Sequence, residues 1–132
     1  MSHRTIIESV SKYSFSETIE KLKAAITENG WRLLHMHDLQ QVMTNNGLSI
    51  LRTEVYEICY PQYAYQLLSV DEYKIYSNLI PCRISVYEKE DGKTYISRMD
   101  IPAFVLESDE KAKEVMTMAF DEAENIIDKV SE

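Results

Sequence analysis

The hydrophobic and polar positions of this chain change period several times, which predicts short strands interleaved with helices. Thr5 to Lys12 is short, β-branched and roughly alternating, as in a first strand. Four apolar residues then recur at the spacing of one helix face: Phe15, Ile19, Leu22 and Ile26. Ser14 and Glu17 form a capping box where this helix begins. Gly30, which can adopt a left-handed conformation, follows its end.

The middle of the chain predicts two further strands around a short helix. From Trp31 to His37 the pattern alternates, with Trp31, Leu33, His35 and His37 on one face. Asp38 can cap a short helix from Leu39 to Asn46, because its carboxylate can accept a hydrogen bond from a free N–H group. Ile50 to Tyr60 reads as a longer strand that Pro61 ends, since proline cannot donate to a ladder.

The next part predicts a short helix and then a hairpin. Gln62 to Val70 is helical, with Ala64, Leu67 and Leu68 expected to face inward, and Asp71 to Leu79 is an irregular connection. Pro81 opens a strand from Cys82 to Glu88, and Asp91-Gly92 turns the chain back into Lys93 to Met99. Asp100-Ile101-Pro102 breaks this pattern.

The last helix carries the longest apolar stripe. We expect Ser108 to cap it, with Asp109 and Glu110 at its positive end. The stripe consists of Ala112, Val115, Met116, Ala119, Ala123, Ile126, Ile127 and Val130. A stripe of this length needs an apolar face to cover. The pattern therefore predicts an α+β fold: an antiparallel sheet with helices packed on one face, in β-α-β(4)-α order with short helical insertions.

Length and composition favour one intracellular domain. At 132 residues the chain fits a single domain spanning residues 1–132. Its N-terminus lacks the apolar run of a secretory signal, and no stretch approaches the roughly 18–20 apolar residues of a membrane helix. Two cysteines without an export signal favour a reducing compartment and free thiols. We therefore expect a cytoplasmic protein.

The charge is acidic and unevenly distributed. The net charge is −8, and the segment 107–132 holds nine acids and three lysines, a net of −6. Such a balance offers no basic surface for nucleic acid or an anionic membrane, so we expect neither as a partner. A solvated helix face explains the acidic segment.

Several short motifs occur in the order found in one known family. They are Thr18-x-x-x-Leu22, Gly30, Asp38, Cys59-Tyr60-Pro61, Ile80-Pro81-Cys82, Asp91-Gly92 and Asp100-Ile101-Pro102. In this the chain resembles the bacterial and archaeal domain-of-unknown-function family numbered 302. The resemblance implies an architecture similar to that of the TATA-binding protein, and it implies no activity. The chain departs from the family where it has Tyr60 within Cys59-Tyr60-Pro61 and Ile80 before Pro81.

The two cysteines are the first candidates for chemistry. Cys59 ends one predicted strand and Cys82 begins another, so their thiols could lie close together. They could then form a redox dithiol or hold a soft divalent metal. The alternative is that both are small apolar residues in a core, as most free cysteines are. There is no C-x-x-C motif, and two sulfurs do not complete the usual four-ligand zinc shell.

Two histidines and an aspartate form the second candidate group. His35 and His37 are two residues apart on one strand face, which is a usable metal pair that could join Cys59 and Cys82 in a mixed site. The alternative is a half-solvated strand end. Asp38 could act as a general base, although its simplest role is the helix cap. No cofactor is predicted beyond this soft metal.

Tyrosine is dense in the predicted connections. Five of the nine tyrosines fall there: Tyr60, Tyr63, Tyr65, Tyr73 and Tyr76. Tyrosines can line a ligand pocket or provide an interface, and of these we favour a self-association surface. No phosphate-binding loop or G-x-S-x-G elbow occurs. We therefore expect a non-enzymatic homo-oligomeric domain, a homodimer, that binds a ligand or a partner. The alternative is a thiol redox or soft-metal protein using Cys59 and Cys82.

Overall fold

The computed structural model describes residues 5–132 and shows an α+β fold built on a five-stranded antiparallel sheet. The strands are β1 (Ile6–Val10), β2 (Arg32–Asp38), β3 (Thr53–Cys59), β4 (Cys82–Glu88) and β5 (Thr94–Met99). Their order across the sheet is β1-β5-β4-β3-β2. The first strand therefore pairs with the last, and β2 forms the other edge.

The described residues also form five α-helices and one 3₁₀ helix, which lie between these strands or follow the last one. They are α1 (Phe15–Glu28), α2 (Leu39–Asn45), α3 (Pro61–Leu68), the 3₁₀ helix (Asp71–Leu79), α4 (Ile101–Phe104) and α5 (Glu110–Asp128). Within residues 5–132, no helix is long and apolar enough to cross a membrane. The order agrees with the predicted β-α-β-β-β-β-α order and its short helical insertions.

The main core lies between one face of the sheet and the two long helices. Alternate residues of β3, β4 and β5 are fully buried on this face, and α1 and α5 cover them with their own apolar stripes. The central members are Tyr56, Ile58, Ile84, Val86 and Ile96 from the strands, with Leu22, Ile26, Ile126 and Ile127 from the helices. The predicted stripe of α5 meets the sheet over its C-terminal part, from Ala119 to Val130.

A second, smaller core lies beside the first. It joins α3, α4 and the start of α5 through Leu67, Ile101, Val105, Ala112, Val115 and Met116. Residues of the 3₁₀ helix and of the segment leading into β4 pack against it. This second core matters for function because β3 ends, and β4 begins, next to it.

The predicted helix starts are confirmed for α1 and α2. The Ser14 hydroxyl accepts a hydrogen bond from the Glu17 backbone N–H at 3.2 Å. The Asp38 carboxylate accepts from the Gln41 backbone N–H at 3.0 Å. Gly30 follows α1 with a φ of +81°, the left-handed conformation that its position required.

Near the C-terminus one predicted helix cap was wrong, and one short helix was not predicted. The cap of α5 is Asp109, whose carboxylate accepts from the Lys111 backbone N–H at 2.8 Å, and not Ser108. The break at Asp100-Ile101-Pro102 is a helix start: Asp100 caps α4, and Pro102 fits its first turn, where no N–H donor is needed. Asp100 and Pro102 therefore do more than end the strand, because they also form the start of α4.

Two side-chain orientations also differ from prediction. A bulge in β2 separates Leu33, which lies opposite Ile58, from His35, which lies opposite Glu57. Leu33 and His35 therefore occupy opposite faces of the sheet, because one extra residue reverses the alternation. Leu68 is 37% exposed and does not face inward, whereas Leu67 beside it is buried.

Candidate functional site

The two cysteines meet in one pocket at the ends of adjacent strands. Cys59 is the last residue of β3 and Cys82 the first of β4, and the register places Ile58 opposite Cys82. Cys59 therefore directly follows the residue that lies opposite Cys82 in the ladder. Both are unbonded and partly buried, and both line the same pocket. Tyr60, the third residue predicted for this site, lines it with them.

The pocket lies between the strand ends and the second core. Its walls come from α3, from α5 and from the segment Leu79–Pro81, with Trp31 and Ile101 completing the lining. None of its fifteen lining residues carries a charge. Its volume is about 40 Å³, which corresponds to a few water-sized spaces. A ligand here would meet hydrocarbon, sulfur and aromatic rings.

Trp31, which lines the pocket, also carries an unusual buried polar atom. The side chain is 4% exposed, and its ring centroid lies 5.6 Å from that of Tyr60. Its indole Nε1 is buried without a hydrogen-bond partner, alone in this respect among the side-chain nitrogen and oxygen atoms of residues 5–132. Leaving a buried donor unsatisfied costs about 1–3 kcal/mol. Most native structures avoid this cost.

The local backbone explains why Trp31 occupies this position. Gly30 lets the chain turn from α1 directly into Trp31, whose backbone N–H donates to the Ile26 carbonyl at 3.0 Å. A side chain at Gly30 would approach the Tyr60 ring, since an added Cβ would lie 3.4 Å from the ring atom Cε1. Tyr60 in turn lies 4.9 Å from Tyr63, measured between ring centroids. The aromatic wall is therefore continuous from Trp31 to α3.

Burial keeps the two thiols in their neutral form. It raises the pKa of Cys82 to about 11, and the neighbouring Cys59 adds to this effect. Burial also raises the pKa of Cys59. Because the thiolate is the reactive and metal-binding species, both cysteines are poor nucleophiles near neutral pH. In this state they act as polarisable apolar surface.

A second, larger cavity also borders the segment Leu79–Cys82. It has a volume of about 280 Å³ and shares that segment and Ile101 with the first pocket. Unlike the first, it has charged walls. Arg98, whose side chain is 9% exposed, donates from Nε and Nη2 to the two carboxylate oxygens of Glu124, each at 2.7 Å. Such a two-point pair holds both side chains in fixed positions.

The histidines and Asp38 lie apart from the cysteine pocket. His35 and His37 share a face of β2 with their ring centroids 4.4 Å apart, and His37 Nε2 lies 3.2 Å from a Glu57 carboxylate oxygen. Neither histidine lines the pocket, and Asp38 is engaged as the cap of α2. Across the described part of the chain, no three His, Cys, Asp or Glu side chains form a group that could hold a metal ion. The structure thus does not assemble the four predicted metal ligands into one site.

The tyrosines of the connections are mostly engaged within the fold. The hydroxyls of Tyr63 and Tyr73 donate to the carboxylates of Glu122 and Asp109. These two rings and that of Tyr76 pack against the second core. Tyr65, at 71% exposure, is the strongly exposed member of the group. Most of these tyrosines therefore pack within the fold, and few are available to form a self-association surface.

Sequence reasoning missed Trp31 and the Arg98–Glu124 pair as site residues. Trp31 is the single tryptophan of the chain and follows a glycine at a helix end, which was the available signal. Nothing in the sequence joined Arg98 to Glu124, because they are 26 positions apart on a strand and a helix.

Comparison with known proteins gives a family and a fold. The family model for the domain of unknown function DUF302 matches residues 7–130. The crystal structure of an uncharacterized conserved DUF302 protein from Bacillus stearothermophilus superposes with a TM-score of 0.83 at 22% sequence identity. The match covers 93% of this chain and 95% of the other. Among curated proteins, none matches this sequence. At that identity the structural likeness shows the fold alone.

Proposed function

We propose that this chain, which belongs to the DUF302 family, is a non-enzymatic domain that binds a small, largely apolar ligand carrying one hydrogen-bond acceptor. The ligand binds in the pocket between Cys59, Cys82 and Trp31. The observation that carries this proposal is the buried, unpartnered indole N–H of Trp31, a residue that lines a pocket without charged walls. A carbonyl or ether oxygen would satisfy that donor, and apolar atoms would fill the rest.

The energetics favour a ligand over a defect in the core. An unsatisfied buried donor costs about 1–3 kcal/mol, which a neutral acceptor on a ligand would recover. Apolar atoms of the ligand would add roughly 25 cal/mol for each Å² removed from water. A charged ligand would gain nothing in this pocket, since its walls offer no counter-charge and burial of an unpaired ion is strongly unfavourable.

Size limits how a ligand can enter. Pockets for drug-sized ligands usually measure about 300–1,000 Å³, whereas this one measures about 40 Å³. The segment Leu79–Cys82 borders both this pocket and the 280 Å³ cavity. Displacement of this segment would join the two spaces and bring their sum to the lower end of that range. We therefore expect small ligands to bind directly and larger ones to need movement of this segment.

Trp31 provides the assay, because it is the only tryptophan and it lines the pocket. Cyclohexanone and methylcyclohexane have the same number of heavy atoms, and only the ketone has an acceptor. Both rings are larger than the 40 Å³ pocket, so they test binding that displaces the segment Leu79–Cys82. We expect saturable changes in Trp31 fluorescence and a higher melting temperature with both. The indole N–H should raise the ratio of ketone affinity to hydrocarbon affinity roughly 5-fold to 150-fold over that of a pocket without the donor, the equivalent of about 1–3 kcal/mol.

Two variants and a control complete the test. Ala64→Leu adds bulk to the pocket wall and should abolish binding, whereas Ala24→Leu makes the same change on the exposed surface of α1 and should not. Trp31→Phe, followed by calorimetry, should lower the ratio of ketone affinity to hydrocarbon affinity by that factor. If neither probe binds the wild type, the ligand-binding function is refuted. If the ratio is the same in the wild type and in Trp31→Phe, only the role of the N–H group is refuted.

A thiol redox or soft-metal role for Cys59 and Cys82 is the second candidate, favoured by the presence of both thiols in one pocket. Their raised pKa values oppose it, as does the lack of a third ligand among residues 5–132. Elemental analysis after anaerobic purification separates the two functions. Stoichiometric metal that is lost in Cys82→Ser would establish this second role and displace the first.

A further inference from the structure

The edge of the sheet formed by β2 exposes an unusual share of apolar surface. We call the segment from Leu33 to Leu51 the β2–α2 edge; it contains most of β2, all of α2 and the connection to β3. Within residues 5–132, fourteen large apolar residues are exposed. Seven of these lie in this segment: Leu33, Leu34, Met36, Val42, Leu48, Ile50 and Leu51. Helix α2 has no buried residue at all.

The same segment is almost free of charge. Among its nineteen residues only Asp38 carries a formal charge, and that carboxylate caps α2. Charged residues make up 27% of the whole chain, so about five would be expected in a stretch of this length. The rest of the chain therefore carries −7 of the net −8. An apolar surface stripped of charge has the composition of a homodimer interface more than that of a transient contact with a foreign protein.

The exposed area is sufficient for a stable contact. The seven side chains are between 36% and 59% exposed. Taking roughly 200 Å² for a fully exposed large residue, they present on the order of 600 Å², at the upper limit of the largest patch on a typical monomer. Two copies meeting through this surface would bury about 1,200 Å² from these residues alone, the lower limit for specific stable interfaces.

The geometry of β2 decides how a partner would approach. Edge strands can pair with a strand from another molecule, and proteins often prevent this with charged residues or bulges. Here Leu33 to His37 has no formally charged residue, but the bulge after Leu33 interrupts the regular ladder. A continuous intermolecular sheet would need an unbroken edge. Contact through the side chains of α2 and the connection to β3 fits the structure better.

We infer that a second copy of this chain covers the β2–α2 edge, forming a symmetric dimer. A two-fold axis places the uncharged edge of one copy against the same edge of the other. Because this edge is almost free of charge, two molecules of net charge −8 can approach through it with few like charges in contact. The tyrosine-bearing connections are not required for it.

The dimer is tested by sedimentation of the full chain over a wide range of concentrations. Leu48→Glu/Leu51→Glu places two charges on the edge, and Ile75→Glu/Leu106→Glu places the same two charges on exposed apolar residues elsewhere. We expect the first variant to weaken dimerisation by roughly 100-fold or more, because buried unpaired charges are costly. The second should dimerise like the wild type. Circular dichroism and melting temperature would verify that both variants fold.

Added salt provides an independent readout. Because both copies are acidic and the contact is uncharged, salt should screen their repulsion and tighten the dimer. An interface built on ion pairs would weaken instead. A wild type that stays monomeric at every concentration overturns the inference. So does a wild type whose dimer survives Leu48→Glu/Leu51→Glu or dissociates with Ile75→Glu/Leu106→Glu.

Discussion

The reactivity of Cys82 tests whether burial in the pocket raises the pKa of its thiols. In the variant Cys59→Ser, Cys82 is the only remaining cysteine. Burial raises its pKa from 9.0 to about 11, although part of that effect comes from Cys59 and would be lost in the variant. We predict that this thiol reacts slowly with a nitrobenzoate disulfide near neutral pH and becomes reactive only in alkali.

The expected magnitude follows from ionisation and nucleophilicity together. At pH 8, a thiol with a pKa of 9.0 is roughly 10% ionised, whereas one with a pKa of about 11 is roughly 0.1% ionised. The hundredfold smaller thiolate fraction is partly offset, because a more basic thiolate is about tenfold more nucleophilic over this interval. The net rate should be about tenfold lower, before restricted access slows it further. It should rise roughly tenfold per pH unit from pH 7 to pH 10.

Absorbance of the released nitrothiophenolate measures the rate directly. The same variant unfolded in guanidinium is the control, since its thiol is solvated and should react at the ordinary rate. Cys82→Ser, which leaves Cys59, should also react more slowly than an unfolded thiol because burial raises the pKa of Cys59. A folded-state rate that reaches a plateau below pH 9 would refute the reasoning. It would mean that a positive group lowers the Cys82 pKa in solution.

Three further predictions concern stability, each measured by denaturant unfolding. Replacing Arg98 with Met leaves the Glu124 carboxylate without its two-point partner and should cost about 1–3 kcal/mol, of which much should return in Arg98→Met/Glu124→Leu. Asp109→Ala should cost about 1 kcal/mol as a lost helix cap, whereas Ser108→Ala should have almost no effect; the reverse result would restore the predicted cap. Gly30→Ala should cost about 1 kcal/mol or more, because φ is +81° there, and an unchanged midpoint would contradict this conformation.

Local signals predicted most of the fold because the relevant hydrogen bonds are local. The cap at Ser14, the cap at Asp38 and the turn at Asp91-Gly92 each depend on residues within four positions. The strand Cys82–Glu88 was predicted with its observed bounds, since Pro81 and the hairpin fix both ends. The resemblance to the family, which the family model confirms for residues 7–130, added the expected architecture.

The predictions were wrong where a tertiary contact determines the local structure, or where two neighbouring residues are equally suited to one role. Ser108 and Asp109 are both good capping residues, and the choice depends on the backbone turn that leaves α4. The bulge in β2 follows from its pairing with β3, which no local pattern in Trp31 to His37 reveals. The tyrosines looked like surface residues because the sequence does not show the carboxylates of Glu122 and Asp109 that hold two of them.

The candidate site could be predicted only in part, because two kinds of information build it. Neighbouring strand ends bring Cys59 and Cys82 together, and a strand ending at one cysteine followed by one beginning at the other was enough to expect this. The pocket itself exists because α3 and α5 close over those ends, which leaves the Trp31 N–H buried without an acceptor. That closure is a property of packing between elements far apart in the chain. A shared fold therefore does not transfer the pocket from one family member to another, and at 22% identity its chemistry must be tested on the residues of this chain.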